Sequence, residues 1–284
     1  MSEVVYPEGF MDFSFLDKRK SWDLPTPADY VIRVSTVINQ ELCQGRDIIP
    51  AVLAWPAFPP NELMMFGTVA HALVEHELHN KPVPLVVDIV KAALIDDGIT
   101  GYVPAYVNQK FIDEVLVARA KWIEQVLPGL EYEPGPYWIE ARLHRPLGMV
   151  DGKPVWLRGT SDLATPIIIT DWKTSGKAWR KGRAEKSIQL PLYRSLVEWN
   201  HEVAPEVGAY VVYDRAKKEW NSHPVALTDK KVNGALLRAF TQARAGLRQE
   251  YTLTPAGDFQ ERAWYCKPAF CNAWDACPLG GGTT

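Results

Sequence analysis

The sequence predicts an α/β fold, a central mixed sheet flanked by helices in the order helix, three strands, helix, strand. Three observations predict it. Residues 61–78 and 111–126 read as helices before a run of strand-like segments at 137–144, 154–162 and 166–172. A helix with the apolar stripe Ile188, Leu192, Leu196 and Trp199 then leads to another apolar strand at 207–213. Finally, 284 residues at 47% hydrophobic and 23% charged suffice for one large domain with a real core.

Residues 1–24 are polar and aromatic without a clear period, an irregular arm. Thr26 and Pro27 look like an N-cap and first helical residue, and Val31, Val34, Val37 and Ile38 continue that helix to about Gln40. Residues 50–60 carry four prolines and read as a loop. The helix Asn61 to Leu78 contains Gly67, His71 and Glu75. Residues 81–110 show weak helical spacing broken by Gly and Pro, and the helix from Phe111 to Val126 ends at Pro128-Gly129. The strand from Tyr137 to His144 holds Glu140 at its centre. A turn through Ala164, Thr165 and Pro166 joins the next two strands. The buried run Ile167 to Ile169 then delivers Asp171 and Lys173 to one face, because side chains alternate. The helix from Ala184 to Asn200 carries Pro191, which is expected to bend it. Residues 219–226 can pair with 207–213, and 229–250 is a long helix. The parts divide as an N-terminal helical arm (1–60), a core (61–250) and a cysteine-rich tail (251–284).

Asp162, Asp171 and Lys173 gather where two strands end. Two carboxylates beside one lysine suit a divalent cation with a water held next to it, and a surface hairpin with an Asp–Lys ion pair is the plainer alternative. The net charge of −3 excludes a wholesale basic DNA-coating protein but leaves room for a local basic groove. Residues 171–186 supply one, with six basic and two acidic side chains: Lys177, Arg180, Lys181, Arg183 and Lys186 surround Trp179, an exposed aromatic available for stacking on bases, a solvated charged loop being the plainer alternative. No secretory leader or membrane-length apolar run is visible, so a soluble, cytoplasmic protein with no membrane partner is expected. Four cysteines in a chain this long do not form a secreted disulfide framework.

Four short elements in this order resemble the RecB-type nucleases of the PD-(D/E)XK superfamily: Gly67 with His71, Gly159 with Asp162, Asp171 with Lys173, and Gln189 with Tyr193. The resemblance spans roughly residues 61–215 and implies the αβββαβ nuclease core. It also implies that His71, Asp162, Asp171 and the Trp172 carbonyl hold Mg²⁺ or Mn²⁺, the imidazole favouring Mn²⁺. Lys173 then orients the attacking water. Gln189 and Tyr193, sharing a helix face, contact DNA or support the lysine. Glu140 stands either as a fourth acidic group or as a solvent-facing strand residue.

The tail carries Cys266, Cys271 and Cys277, and Cys43 lies far upstream. This pattern resembles the iron–sulfur branch of these nucleases, which includes AddB-type helicase-nucleases, CRISPR-associated RecB-like exonucleases and phage exonucleases. There a [4Fe–4S] cluster clamps both chain ends as a peripheral region. A Cys₄ zinc staple and unligated buried thiols are the alternatives. The implied activity is a DNA exonuclease on single-stranded ends, in recombination, repair or replication, and a phage-encoded enzyme would fit. CRISPR spacer processing with adaptation partners is one alternative. A non-catalytic DNA-binding module of the same fold is another.

Overall fold

Two apolar cores, one on each face of a six-stranded sheet, organise the chain. The computed structural model describes residues 6–12, 25, 28–42, 60–96, 98–99, 102–130, 135–180 and 182–248. Its elements are β1 (Tyr30–Arg33), α1 (Val34–Leu42), α2 (Glu62–Leu78), α3 (Val86–Asp96), α4 (Gln109–Gln125) and α5 (Leu127–Leu130), then β2 (Trp138–Val150), β3 (Lys153–Ala164) and β4 (Ile168–Ser175). There follow α6 (Arg183–Lys186), α7 (Gln189–His201), β5 (Val207–Asp214), β6 (Glu219–Ala226) and α8 (Asp229–Arg248). The sheet runs β1-β3-β4-β5-β6, with β2 on the other edge of β3. β1 and β5 pair in parallel with β3 and β4, and the remaining pairs are antiparallel, so the sheet is mixed as expected.

Side-chain alternation fills both faces. Leu157, Ala164 and Ile169 pack with Leu192 and Leu196 of α7 and Phe240 of α8 on one side. Leu163, Trp172 and Tyr213 pack with Phe66 and Leu73 of α2 and Trp122 of α4 on the other. Trp172 meets Trp122 edge to face at 5.7 Å, a pair worth about 0.5–1.5 kcal/mol beyond its buried area. Capping explains where the two central helices begin. The Asn61 side chain accepts from Met64 N at 3.0 Å, and Asn108 accepts from Phe111 N at 3.2 Å.

Several elements differ from the sequence reading. Tyr30–Arg33 is a strand, and the helix begins only at Val34; pairing with β3 outweighs the cap-like Thr26-Pro27, since Val31 and Ile32 suit a strand. β2 runs on past His144 through Pro146 and Gly148, because an outer strand tolerates proline. Ile167 is exposed and sits in the turn; Ile169 alone of that run is fully buried. Residues 184–200 divide into α6 and α7. Pro191 thus lies in the first turn of α7, where its missing N–H costs no helical bond, and the expected bend has no cause there. α3 emerges from the stretch with weak periodicity, held by buried Val86, Ile89, Val90 and Leu94.

Candidate metal centre

The site forms where β3 and β4 part. Their ladder ends at the pair Leu163–Thr170. Beyond it the Asp162 carboxylate stands in for a strand carbonyl and accepts a hydrogen bond from Trp172 N at 2.7 Å. Two residues of alternation put Asp171 and Lys173 on the same face, with Lys173 Nζ 2.6 Å from Asp171 Oδ2. Gln189, at the start of α7, donates through Nε2 to Asp171 Oδ1 at 2.8 Å and to the Tyr193 hydroxyl at 3.2 Å. The four-residue spacing that puts Gln189 and Tyr193 on one helix face therefore has a structural purpose.

α2 brings the imidazole. At Gly67 a Cβ would come to 3.1 Å from Thr174 Oγ1, so the glycine lets the helix lie close on β4. One turn later His71 Nδ1 is 3.6 Å from Asp162 Oδ2. Glu140 completes the group. The pairs Ile139–Leu163 and Ala141–Ser161 flank it, which sets it opposite Asp162 across the β2–β3 ladder. Its backbone is left-handed, with φ 48°, a conformation costing about 1–3 kcal/mol that tends to occur at functional sites. There the strand changes faces: Ile139 packs on the α2–α4 side, Ala141 on the α7–α8 side. His71, Glu140 and Asp162 each offer one ligand atom, all within 4.8 Å of one another.

Burial, more than the nearby Lys173 cation, shapes the protonation of these groups. It pushes Glu140 up to about 8, with Asp162, Glu75 and Asp171 adding repulsion. It also pushes Asp162 up to about 6, against the pull of Lys173 and the Trp172 N–H. Asp171 rises to about 6 for the same reason, opposed first by Lys173. Burial by itself lowers the Lys173 pKa, but Asp171 and Asp162 outweigh it and hold the pKa above the usual lysine value. His71 is lowered by burial and then by Lys173, while Asp171 and a hydrogen bond to the Trp172 main chain oppose the shift. Crowded, buried carboxylates with raised pKa values beside an imidazole of lowered pKa form a donor set suited to a divalent cation. Asp171 stands outside the three-donor group, and Lys173 and Gln189 engage its two oxygens.

The pattern of the PD-(D/E)XK nuclease superfamily matches residues 50–278, about four-fifths of the chain and all of the site. The chain belongs to the PD-(D/E)XK nuclease superfamily. No curated protein matches it in sequence. Among solved structures, the crystal structure of SSO0001 is similar at 13% identity and a TM-score of 0.39, covering 90% of this chain and 88% of that one.

The superfamily core accommodates the other expected residues in different ways. Lys177, Arg180, Arg183 and Lys186 line a basic cavity of about 490 Å³ beyond the end of β4. Trp179 is packed: it lies 5.1 Å from Tyr210 and 5.7 Å from His223, with the Arg183 guanidinium 4.3 Å over its ring. It braces the basic segment against β5 and β6. Lys181 and all four cysteines, Cys43, Cys266, Cys271 and Cys277, lie outside the described residues, and with them the clamped periphery. Glu140 is the candidate ligand that motif spacing underweights; its one sequence signal is the central place in a strand preceding the Asp162 strand. No helix among the described residues is long and apolar enough to cross a membrane.

Proposed function

We propose that this chain is a divalent-metal-dependent deoxyribonuclease that degrades DNA from single-stranded ends, serving recombination, repair or replication. The observation that carries the reading is the His71–Glu140–Asp162 donor set beside the Asp171–Lys173 pair. A binding module has no use for a half-buried lysine held against a buried carboxylate at the rim of a candidate cation site.

In this reading His71, Asp162, Glu140 and the Trp172 carbonyl hold Mg²⁺ or Mn²⁺, with Asp171 joining or bracing the set. A cation held by these residues would supply acidification of the attacking water and neutralisation of phosphate charge. Lys173, fixed by Asp171, holds the water oxygen in line as it bonds to phosphorus and the ester P–O bond breaks. The leaving sugar oxygen takes up the proton. Gln189 and Tyr193 keep Asp171 in place and border the strand, and Lys177, Arg180, Lys181, Arg183 and Lys186 track its phosphates. Cys43, Cys266, Cys271 and Cys277 are assigned a structural [4Fe–4S] cluster, a zinc staple being the competing occupant. Anaerobically purified protein should be brown, and Cys43→Ser should bleach it; colourless protein carrying one zinc assigns the staple instead.

The test of function uses end-labelled linear and circular single strands with Mg²⁺, Mn²⁺ or EDTA. Metal-dependent loss of the linear strand with survival of the circle is the expected result. Rapid cutting of circles makes the enzyme an endonuclease. Binding without cleavage in either metal makes it a DNA-binding module.

A further inference from the structure

We infer that the cavity between β1, the start of α1 and β3 is a second phosphate subsite, holding a phosphodiester that flanks the scissile one; this rests on the nuclease reading. The cavity measures about 290 Å³, and Arg33, Arg158, Ser35, Thr160 and Tyr193 supply its polar lining. Because β1 is parallel to β3 with Arg33 in register with Arg158, two guanidinium groups stand on neighbouring strands. No acidic side chain lines the cavity, and among the described residues no ion pair engages either arginine. Like charges side by side across strands destabilise a sheet. An anion between them turns that repulsion into attraction, and the fork of each guanidinium fits phosphate oxygens in pairs.

Gly159 makes the cavity possible. A Cβ there would come to 2.8 Å from Val34 Cγ2 and 2.9 Å from Tyr193 Cε1, so only glycine lets α1 and α7 close in as its walls. The first turn of α1 adds the partial positive charge of a helix N-terminus. The Tyr193 ring forms the wall against Gly159, and its hydroxyl accepts from Gln189 Nε2 at 3.2 Å. Through Gln189 this wall is joined to Asp171.

The cavity also has the right place. Thr160 lies two residues before Asp162 on β3, ~7 Å along an extended strand, and Arg158 lies ~13 Å away. That range reaches past the scissile phosphate to its neighbour. The basic cavity of Lys177, Arg180, Arg183 and Lys186 begins at Ser175, two residues beyond Lys173. Because β3 and β4 are antiparallel, both cationic cavities lie off the same end of the Asp162–Asp171 pair, one on the β1 side of the fork and the other past β4. A strand running across the fork past the metal donors meets a phosphate contact on each side.

Arg33→Ala, Arg158→Ala and the double variant test this, since both side chains are exposed and neither packs in a core. Affinity for a linear single-stranded oligonucleotide is measured in EDTA across a salt series, and Mn²⁺ affinity is measured on the same proteins. The double variant should lose roughly tenfold in affinity, and its plot of log K against log salt should be shallower by about 0.7, the value for one phosphate on a single strand. Mn²⁺ affinity should stay unchanged. Wild-type binding with an unaltered slope in the double variant overturns the subsite and leaves the nuclease reading standing. A loss confined to oligonucleotides bearing a terminal phosphate overturns it in favour of an end-binding pocket. A wild-type protein that binds no strand removes both.

Discussion

Each charged residue in the site is set by one or two named neighbours. Lys173 is charged because Asp171 and Asp162 outweigh its burial, and Asp171 is oriented because Gln189 occupies its second oxygen. Lys173→Ala and Asp171→Asn should therefore each lower the cleavage rate by at least ~10²-fold, the scale for losing a dominant electrostatic contact in a transition state. Oligonucleotide affinity should change much less, as the basic cavity is untouched. Single-turnover rates beside binding isotherms check this, and near-normal cleavage by both variants would sink the assignment. Glu140 carries its own expectation. Glu140→Gln keeps the shape and removes the charge, so Mn²⁺ affinity should fall at least ~10-fold, the range for losing a metal-site partner. A titration following Mn²⁺ directly reads it, and unchanged affinity returns Glu140 to the status of a strand residue.

At the scale of elements, the β2–β3 hairpin positions the site through one irregularity. From its Asp151-Gly152 turn the hairpin starts with Val150 paired to Lys153, and an unbroken count would bring Glu140 opposite Leu163. A register shift between Pro146 and Gly148 moves every later pair by one and brings Glu140 opposite Asp162. The N-terminal segment clamps that bulge. Met11 N donates to Leu147 O and Met149 N donates to Gly9 O, both at 2.9 Å, and Phe10 bridges to Gly148. Gly148 has φ 143°, and a Cβ on it would lie 2.0 Å from Gly9 O. Gly148→Ala should cost about 1–3 kcal/mol of stability from backbone strain alone, and should weaken Mn²⁺ binding by disturbing the register. Gly152→Ala is the control: it is also left-handed, at φ 76°, but meets nothing within 4 Å. It should lose stability only. Equal Mn²⁺ affinity in both variants would separate the bulge from the metal centre.

For the molecule as a whole, the crowded carboxylates are an electrostatic cost that a bound cation would offset. Glu140, Asp162 and Asp171 titrate at about 8, 6 and 6 in the fold, above their values in an unfolded chain. Groups raised on folding contribute stability that is full below the unfolded pKa and is lost as pH rises through the folded one. His71, lowered on folding, works in the opposite sense below its ordinary value, but it is one group against three. The metal-free protein should accordingly melt at progressively lower temperature between about pH 4 and pH 8. Saturating Mn²⁺ should raise the melting temperature, and by more at pH 8 than at pH 5, because binding displaces protons. Calorimetric scans with EDTA and with Mn²⁺ at several pH values check both, and a flat metal-free profile would contradict the crowding of the carboxylates.

Much of this was readable in the chain because it depends on local spacing. Alternation at Asp171 and Lys173 and the four-residue steps Gly67–His71 and Gln189–Tyr193 are properties of single elements. The structure keeps each of these spacings, while the buried run expected from Ile167 starts one residue later. Three features were not readable, and all depend on how separate segments meet. Tyr30–Arg33 became a strand because β3 offered it a parallel edge, which outweighed a plausible helix cap nearby. Trp179, open to solvent in a linear reading, was drawn against Tyr210 and His223 by β5 and β6. Glu140 became a candidate ligand only because a bulge clamped by residues 9–11 displaced the ladder by one residue. Side-chain period is a property of one strand, whereas register between strands is settled by bulges and by what docks on them.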